Sequence, residues 1–524
     1  MHDAIVIGAG HNGLAAAVHL ASCGWDVAVV EQSDAAGGAV KTREVTLPGF
    51  RHDIGAMNLS MFAGSAFYAD YKEELSAHGL ELVPAPDSFA SAFPDGSWLG
   101  VSTDLTQTAT RIAAISMSDA NAWRQMVAEF DVQGPHIFNL LQSQMPSMKT
   151  VRTAWNAWRA LGTSGLLDTV RMILSSPRDF LNAHFESERL KAMMAAWGLH
   201  LDFAPDTAGG ALFAYLESMA SQTFGMVIGK GGADTIIRAM TALLRAKGGQ
   251  IILGAPVTRI ETHRGRATGV RLADGSLLRA RRAIVANAHP KLVFSRLLPT
   301  DPTRAAFDAR IAGYRSGPGT MMIHLALDRL PDWTAGEALH EFAYVHLAPD
   351  MGMMARTYEE AARGLLPAEP VLVVGQPTAI DPNRAPHGKH VLWIQVRVLP
   401  AEILGDAAQS ITGHSWNDVK NAYAERVIDI LDRYAPGIRS AILGRAVSSP
   451  ADLERENPNL IGGDNLSGSH RLDQNFMFRP VAGWSRYKTP VKGLFLCGAA
   501  TWPGAGTGAG SGYLLGRQLA GGRR

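Results

Sequence analysis

The sequence predicts an α/β fold: a Rossmann-type nucleotide-binding domain built from separated stretches, with an interleaved substrate domain of mixed β-sheet and a helical cap. Three observations lead there. An apolar strand, Ala4 to Ile7, runs straight into Gly8-Ala9-Gly10-His11-Asn12-Gly13, and a second strand, Asp26 to Val30, ends on Glu31. A long middle stretch has helical periodicity and gives way to strands. A last strand, Gly493 to Gly498, enters a second glycine-rich loop and a final helix.

The first unit justifies itself by order more than by its glycines. Leu14 to Cys23 reads as a small-residue helix, Gly24 breaks it, and Glu31 falls 18 residues after Gly13. This is the context that a dinucleotide fingerprint requires. Gly8 allows the tight turn, Gly10 lets backbone amides approach a pyrophosphate, and Gly13 lets helix and strand pack closely. His11 and Asn12 stand in the first helical turn, whose free N–H groups and partial positive charge suit phosphates. Glu31, followed by Gln32, would accept hydrogen bonds from a ribose diol. Gly37 and Gly38 put a second flexible turn beside the pyrophosphate, six residues past Glu31. Lys41, Thr42 and Arg43 follow, with cations able to offset phosphate charge. Gly49 to Gly55 and Ala56 complete this unit.

Short strands with turns come next: Leu82-Val83-Pro84, then Ser91 to Phe93, then Ser97 to Leu99 after Asp95-Gly96. Residues 105–222 are mostly helical by periodicity, with Asp104 and Ser118 as expected N-caps. After Gly229-Lys230-Gly231-Gly232 a helix, Ala233 to Lys247, leads to strands at Gln250–Leu253, Val257–Ile260, Gly269–Leu272 and Ala283–Asn287. Asp274-Gly275 marks a hairpin. Strands at Thr320–Leu325, Val371–Val374 and His390–Val398 alternate with a helix near Asn417–Tyr434. The expected division is therefore 1–83, 226–300 and 486–524 for the nucleotide-binding domain, 84–104 and 301–485 for the mixed-sheet domain, and 105–225 for the cap.

Bulk composition narrows the function. The 524 residues carry 49 Lys plus Arg against 48 Asp plus Glu, with no long run of one sign, which argues against nucleic acid as a partner. Two cysteines, Cys23 and Cys497, build neither a disulfide framework nor a metal site, and suit a reducing compartment. No stretch reaches about 18 unbroken apolar residues, so no membrane span is expected, and with the first strand so near Met1 no cleavable leader is expected. A cytoplasmic protein is expected; peripheral membrane contact and homo-oligomerisation are left open.

At Glu31, Gly37-Gly38 and Arg43, then Gly49-Phe50, Asp53 and Gly55, the chain resembles flavoproteins of the amine oxidase and phytoene-desaturase type. Leu472-Asp473-Gln474, Phe478 to Ser485 and Tyr487 to Gly498 are similar to the phytoene-desaturase-like branch. The resemblance implies a GR2-like flavoprotein fold with FAD extended between the N-terminal unit and the C-terminal strand, loop and helix. It places Gly498, Ala499, Gly506, Thr507 and Gly508 near the flavin ring and ribityl chain. Val257 matches the position whose backbone meets the adenine, and Ala286 and Asn287 match the strand end that closes over it. One departure stands out: relatives commonly read Thr-His-Pro-Gly where this chain has Thr501-Trp502-Pro503-Gly504. An indole shuttles no proton, so Trp502 is expected to be an apolar wall of the flavin or substrate site.

Flavin carries the hydride chemistry itself, so no catalytic residue is assigned. His52, His200 and His289 read as core or cap histidines, and Asp53 as a structural acceptor or flavin-side contact rather than a base. Trp123, Trp155, Trp158 and Trp197, with Met145, Met148, Met172, Met193, Met194 and Met219, suggest a lipophilic or bulky ligand or a membrane-facing entrance. Thr153 to Arg159 reads as an interfacial amphipathic stretch. Cys497 reads as a small buried hydrophobe. The leading expectation is an FAD-dependent dehydrogenase or desaturase acting at a C–C bond, with a quinone-like acceptor or oxygen. The alternatives are a peroxide-forming oxidase of amines or C–O bonds, and a redox-neutral isomerase or scaffold. A disulfide reductase is disfavoured, with no cysteine pair and no second complete G-x-G-x-x-G.

Overall fold

The computed structural model describes residues 1–521. Five parallel strands form the heart of the first sheet, in the order Gln250–Ile252, Val27–Val30, His2–Ile7, the C-terminal half of Leu277–Ala286, and Leu494–Leu496. Their cores read as near-continuous apolar runs because helices or loops cover both faces. Leu277–Ala286 is long enough to serve twice. Its first half pairs antiparallel with Arg266–Leu272, which pairs with Val257–His263. The hairpin at Asp274-Gly275 forms as expected, with Gly275 at φ 87° and the Asp274 carboxylate accepting from Ser276 N at 2.8 Å.

The last helix, Gly510–Leu519, packs on the first, His11–Ser22. A Cβ on Gly512 would overlap the Asn12 carbonyl, so only glycine permits this approach. Both ends of the chain thereby meet at one place, the mouth of the parallel sheet.

A second sheet of seven strands runs Ile442–Ser448, Gly319–Leu327, His390–Leu399, Val371–Gly375, Tyr344–Leu347, Asp87–Ala92, Trp98–Ser102. Its neighbours are antiparallel except Tyr344–Leu347 beside Asp87–Ala92. Alternation sorts its two faces. Ile323, Leu325, Ile394, Val396, Val374 and Val345 pack outward against the helix Trp416–Tyr434. The opposite face looks toward the cap.

The cap comprises helices Leu105–Ala113, Met117–Leu141, Met148–Leu174, Pro177–His184, Glu188–Ala195 and Ala211–Phe224. The chain leaves the first sheet's side of the molecule toward the cap and returns from it along one antiparallel pair, Leu82–Ala85 with Met226–Gly229. Asp104 caps the first helix through Thr106 N and Gln107 N. The second is capped by Ser116, two residues before the expected Ser118. Ser116 has the extended backbone and accepts from Asp119 N, whereas Ser118 already lies inside the first turn. The tryptophans and methionines divide. Trp123, Trp197, Met145, Met172, Met193, Met194 and Met219 are buried, whereas Met148, Trp155 and Trp158 stand exposed on Met148–Leu174.

A buried ion network joins the two sheets' domains. Arg384 pairs with Asp53 and with Asp381, and donates to Gly229 O at 2.6 Å. Asp53 also accepts from Thr42 Oγ1 and from Ala233 N, both at 2.7 Å, which makes it the structural acceptor expected.

Candidate active site

The predicted nucleotide residues converge at the C-terminal edge of the parallel sheet. Gly8 turns at φ 93°, where a Cβ would lie 2.8 Å from Asn287 O. Asn287 Nδ2 donates to Gly8 O at 3.3 Å, and a Cβ on Gly498 would reach its Oδ1 at 2.8 Å. Gly37 N donates to Ala9 O, and Gly38 lies against Gly10. The Glu31 carboxylate accepts from Ala9 N at 2.7 Å and Ser33 N at 3.0 Å, while its own backbone N–H and C=O bond the 252–255 segment that leads to Val257. Ala286 ends its strand beside Ile7. Gln32 is exposed. A carboxylate at the strand end, glycines where no side chain fits, and a helix start whose first N–H groups have no intrahelical acceptor suit a dinucleotide; these residues fit FAD.

Other predicted residues have partners within the chain. Lys41 and Arg43 both reach Glu456, at 3.4 and 2.9 Å, so their charge is already shared with a carboxylate. Thr42 is spent on Asp53 and Asp234 N. Gly55 packs on Ala39 O, with the half-buried Ala56 after it. Asn12 Oδ1 accepts from Gly512 N at 3.2 Å, and burial lowers His11 to about 4 against a hydrogen bond to the Gly506 backbone. Gly506 and Gly508 lie against Met61, with Thr507 buried between them. Ala499 O accepts from Arg479, a buried guanidinium that also gathers carbonyls from Leu466 to Ser469. Trp502 is buried against Phe476 and donates to Ser143 O at 2.7 Å, tying the C-terminal loop to the cap. An imidazole does stand at this loop, from elsewhere in the chain. His470 Nε2 accepts from Ala505 N at 2.9 Å, and burial holds the ring neutral.

A second feature was not read from the sequence. The cap-facing side of the mixed sheet carries His324, Trp393, Gln395, Arg397, Tyr344 and His346, set on one face by the register. His200 and Trp197 of the cap close over them, with His346 ring distances of 5.3 and 5.0 Å. Both ring nitrogens of His324 and of His346, His200 Nε2, Trp197 Nε1, Trp393 Nε1, Gln395 Oε1 and Arg397 Nε are buried without a hydrogen-bond partner among the described residues. Buried polar atoms are normally paired, so this concentration of unpaired ones makes the face a candidate site. Burial, with His52 nearby, lowers His324 to about 3, and burial, with Arg397 nearby, lowers His346 to about 3. The imidazoles are therefore neutral donors and acceptors.

Opposite this face stands Glu217 of helix Ala211–Phe224, close enough to Tyr344 to act on its ionisation. Burial raises Glu217 to about 7, and among the described residues it has no hydrogen bond or ion pair. A carboxyl group poised near neutrality suits proton transfer. Of the histidines weighed from sequence, His52 bonds Thr46 Oγ1 at 2.8 Å and His289 caps Lys291 N, both structural roles. His200 belongs to the new cluster. Cys497 is buried with its thiol pushed up, as a small hydrophobe.

A two-sheet architecture with a dinucleotide cradle at one sheet and a capped polar face on the other defines an FAD-dependent oxidoreductase. Residues 13–520 match the model of the flavin containing amine oxidoreductase family, and the chain belongs to that family. It is 31% identical to pyridine nucleotide-disulfide oxidoreductase domain-containing protein 2 of Rattus norvegicus, over 96% of this chain and 91% of that protein. It is 27% identical to the neurosporene-forming phytoene desaturase of Cereibacter sphaeroides, over 96% and 91%. Cyclohexylamine oxidase from Brevibacterium oxydans shares the fold, with a TM-score of 0.59 at 17% identity over 99% of each chain. FAD is the cofactor. No helix among the described residues is long and apolar enough to cross a membrane.

Proposed function

We propose that the protein is an FAD-dependent dehydrogenase that removes hydrogen from a C–C bond of an apolar or bulky organic substrate lying between the mixed sheet and the cap. The supporting observation is the composition of that face: neutral imidazoles, Trp393, Tyr344 and Met322, opposed by the carboxyl group of Glu217. Gly8, Gly10, Gly13 and Glu31 would hold the dinucleotide, Val257, Ala286 and Asn287 its adenine side, and Gly498 with Gly506 to Gly508 its flavin side. When bound, FAD takes up the hydride equivalent. The chain supplies the partner step: Glu217, as carboxylate, takes the proton from the neighbouring carbon and later gives it to solvent.

An amine-oxidase reading is less well supported. Recognition of an amine between two aromatic faces needs room between the rings. Tyr344 and Trp393 are nearly parallel at 22° with centroids 5.6 Å apart, so they fill that space with each other. The test is reoxidation of the anaerobically photoreduced holoenzyme on mixing with oxygen, with peroxide assayed. Slow reoxidation by oxygen and fast reoxidation by a quinone are expected; rapid oxygen consumption with stoichiometric peroxide would overturn the dehydrogenase reading.

Helix Met148–Leu174 supports peripheral membrane contact. Met148, Val151, Trp155 and Trp158 are exposed beside exposed Lys149, Arg152 and Arg159, a basic and aromatic surface of interfacial type. Co-sedimentation with anionic phosphatidylglycerol vesicles should fall in W155S/W158S; equal sedimentation would remove this reading.

A further inference from the structure

We propose that the inner face of the mixed sheet contains an anion subsite in which Arg397 receives a carboxylate of the substrate. This rests on the substrate lying between sheet and cap. Arg397 is 9% exposed, on the same strand face as Trp393 and Gln395. All its partners are neutral: His200 O and His200 Nδ1, each at 3.3 Å, and Asn465 Oδ1 at 3.5 Å. Its Nε has no partner, and among the described residues no carboxylate lies within ion-pair distance.

The other buried arginines are treated differently. Arg384 has Asp53 and Asp381, Arg304 has Asp308, and Arg479 is wrapped by backbone carbonyls. A buried guanidinium is costly unless its donors and charge are matched, by carboxylates as at Arg384 and Arg304 or by a full set of carbonyls as at Arg479; Arg397 has neither among the described residues. Asp464 does not serve as a counter-ion. Its oxygens are held by Gly317 N, Leu466 N and Gly468 N, and it acts on Arg397 only at a distance.

The surroundings indicate which anion. His200 and His346 are neutral, so the face carries one positive charge with several uncharged donors around it. One guanidinium matches one monoanion, and its planar fork matches a carboxylate. A phosphate dianion would call for a second cation. The substrate class becomes an amphipathic acid, with an apolar body under the cap and its carboxylate at Arg397.

The test uses octanoate and octanamide as probes on the FAD-loaded protein, followed by calorimetry and by perturbation of the flavin absorbance. Octanoate is expected to bind wild type and to weaken about tenfold or more in R397M, with R397K between them and octanamide indifferent to either change. R397K, which keeps the charge, serves if R397M does not fold. Equal octanoate affinity in wild type and both variants, or no octanoate binding to wild type, overturns the subsite. Arg397-dependent heat without a flavin response would keep the subsite and displace the substrate from this cleft. A flavin response to octanamide alone would keep the cleft and remove the subsite.

Discussion

Replacing Glu217 by glutamine should make the protein more stable and less active, and the stability part can be worked from the structure. Burial raises this carboxyl from 4.5 to about 7. At about 1.4 kcal/mol per pH unit the shift corresponds to roughly 3 kcal/mol. The sign follows from proton binding. The folded state holds the proton more tightly than the unfolded chain, so stability is full below the unfolded value and is lost as pH rises toward 7. Glutamine keeps the shape without the charge. The variant should therefore gain on wild type by roughly 2–3 kcal/mol between pH 5 and pH 8, with little difference at pH 5. Urea denaturation of both holoenzymes across that range reads the difference, and slopes from other buried groups cancel. Turnover should fall in the variant, and wild-type turnover should rise with an apparent pKa near 7. A variant with the same pH slope as wild type would refute the burial argument and with it the proposed role.

Further outcomes follow from other contacts. Arg384→Met strands the buried Asp53 and Asp381 and should cost about 3–5 kcal/mol in urea unfolding, with D53N/R384M recovering part of the loss. Gly512→Ala drives a methyl group into the Asn12 carbonyl; protein purified with FAD absorbance at wild-type stoichiometry would contradict the close helix contact. Trp502→Phe removes the bond to Ser143 O from a buried loop and should cost about 1–3 kcal/mol, measurable as a lowered urea midpoint.

The nucleotide half was legible because its signals are local. A turn that only glycine can make, a helix that starts on it, and a carboxylate at the next strand end lie within 31 residues, so backbone geometry fixes their meeting. Most strands of the mixed sheet were also legible, Tyr344–Leu347 and Ile442–Ser448 being the exceptions, and His390–Leu399 carries a further signal. In an otherwise apolar strand, Trp393, Gln395 and Arg397 occupy every second position. Such a run means that one face of a buried strand is polar. Ser118 was mistaken for a cap because sequence shows which residues can cap, while the backbone at Ser116 decides which one does.

The sequence alone determined the α/β class and the family, since these rest on neighbours along the chain. Only the tertiary structure decided the site. Glu217 and Arg397 are unremarked single residues until long-range packing brings one above the sheet and the other into it. Their chemistry comes from what packing withholds: among the described residues, Glu217 has no cation in ion-pair reach and Arg397 no carboxylate. Desolvation and absent partners are properties of the assembled interior, and no spacing in the sequence encodes them.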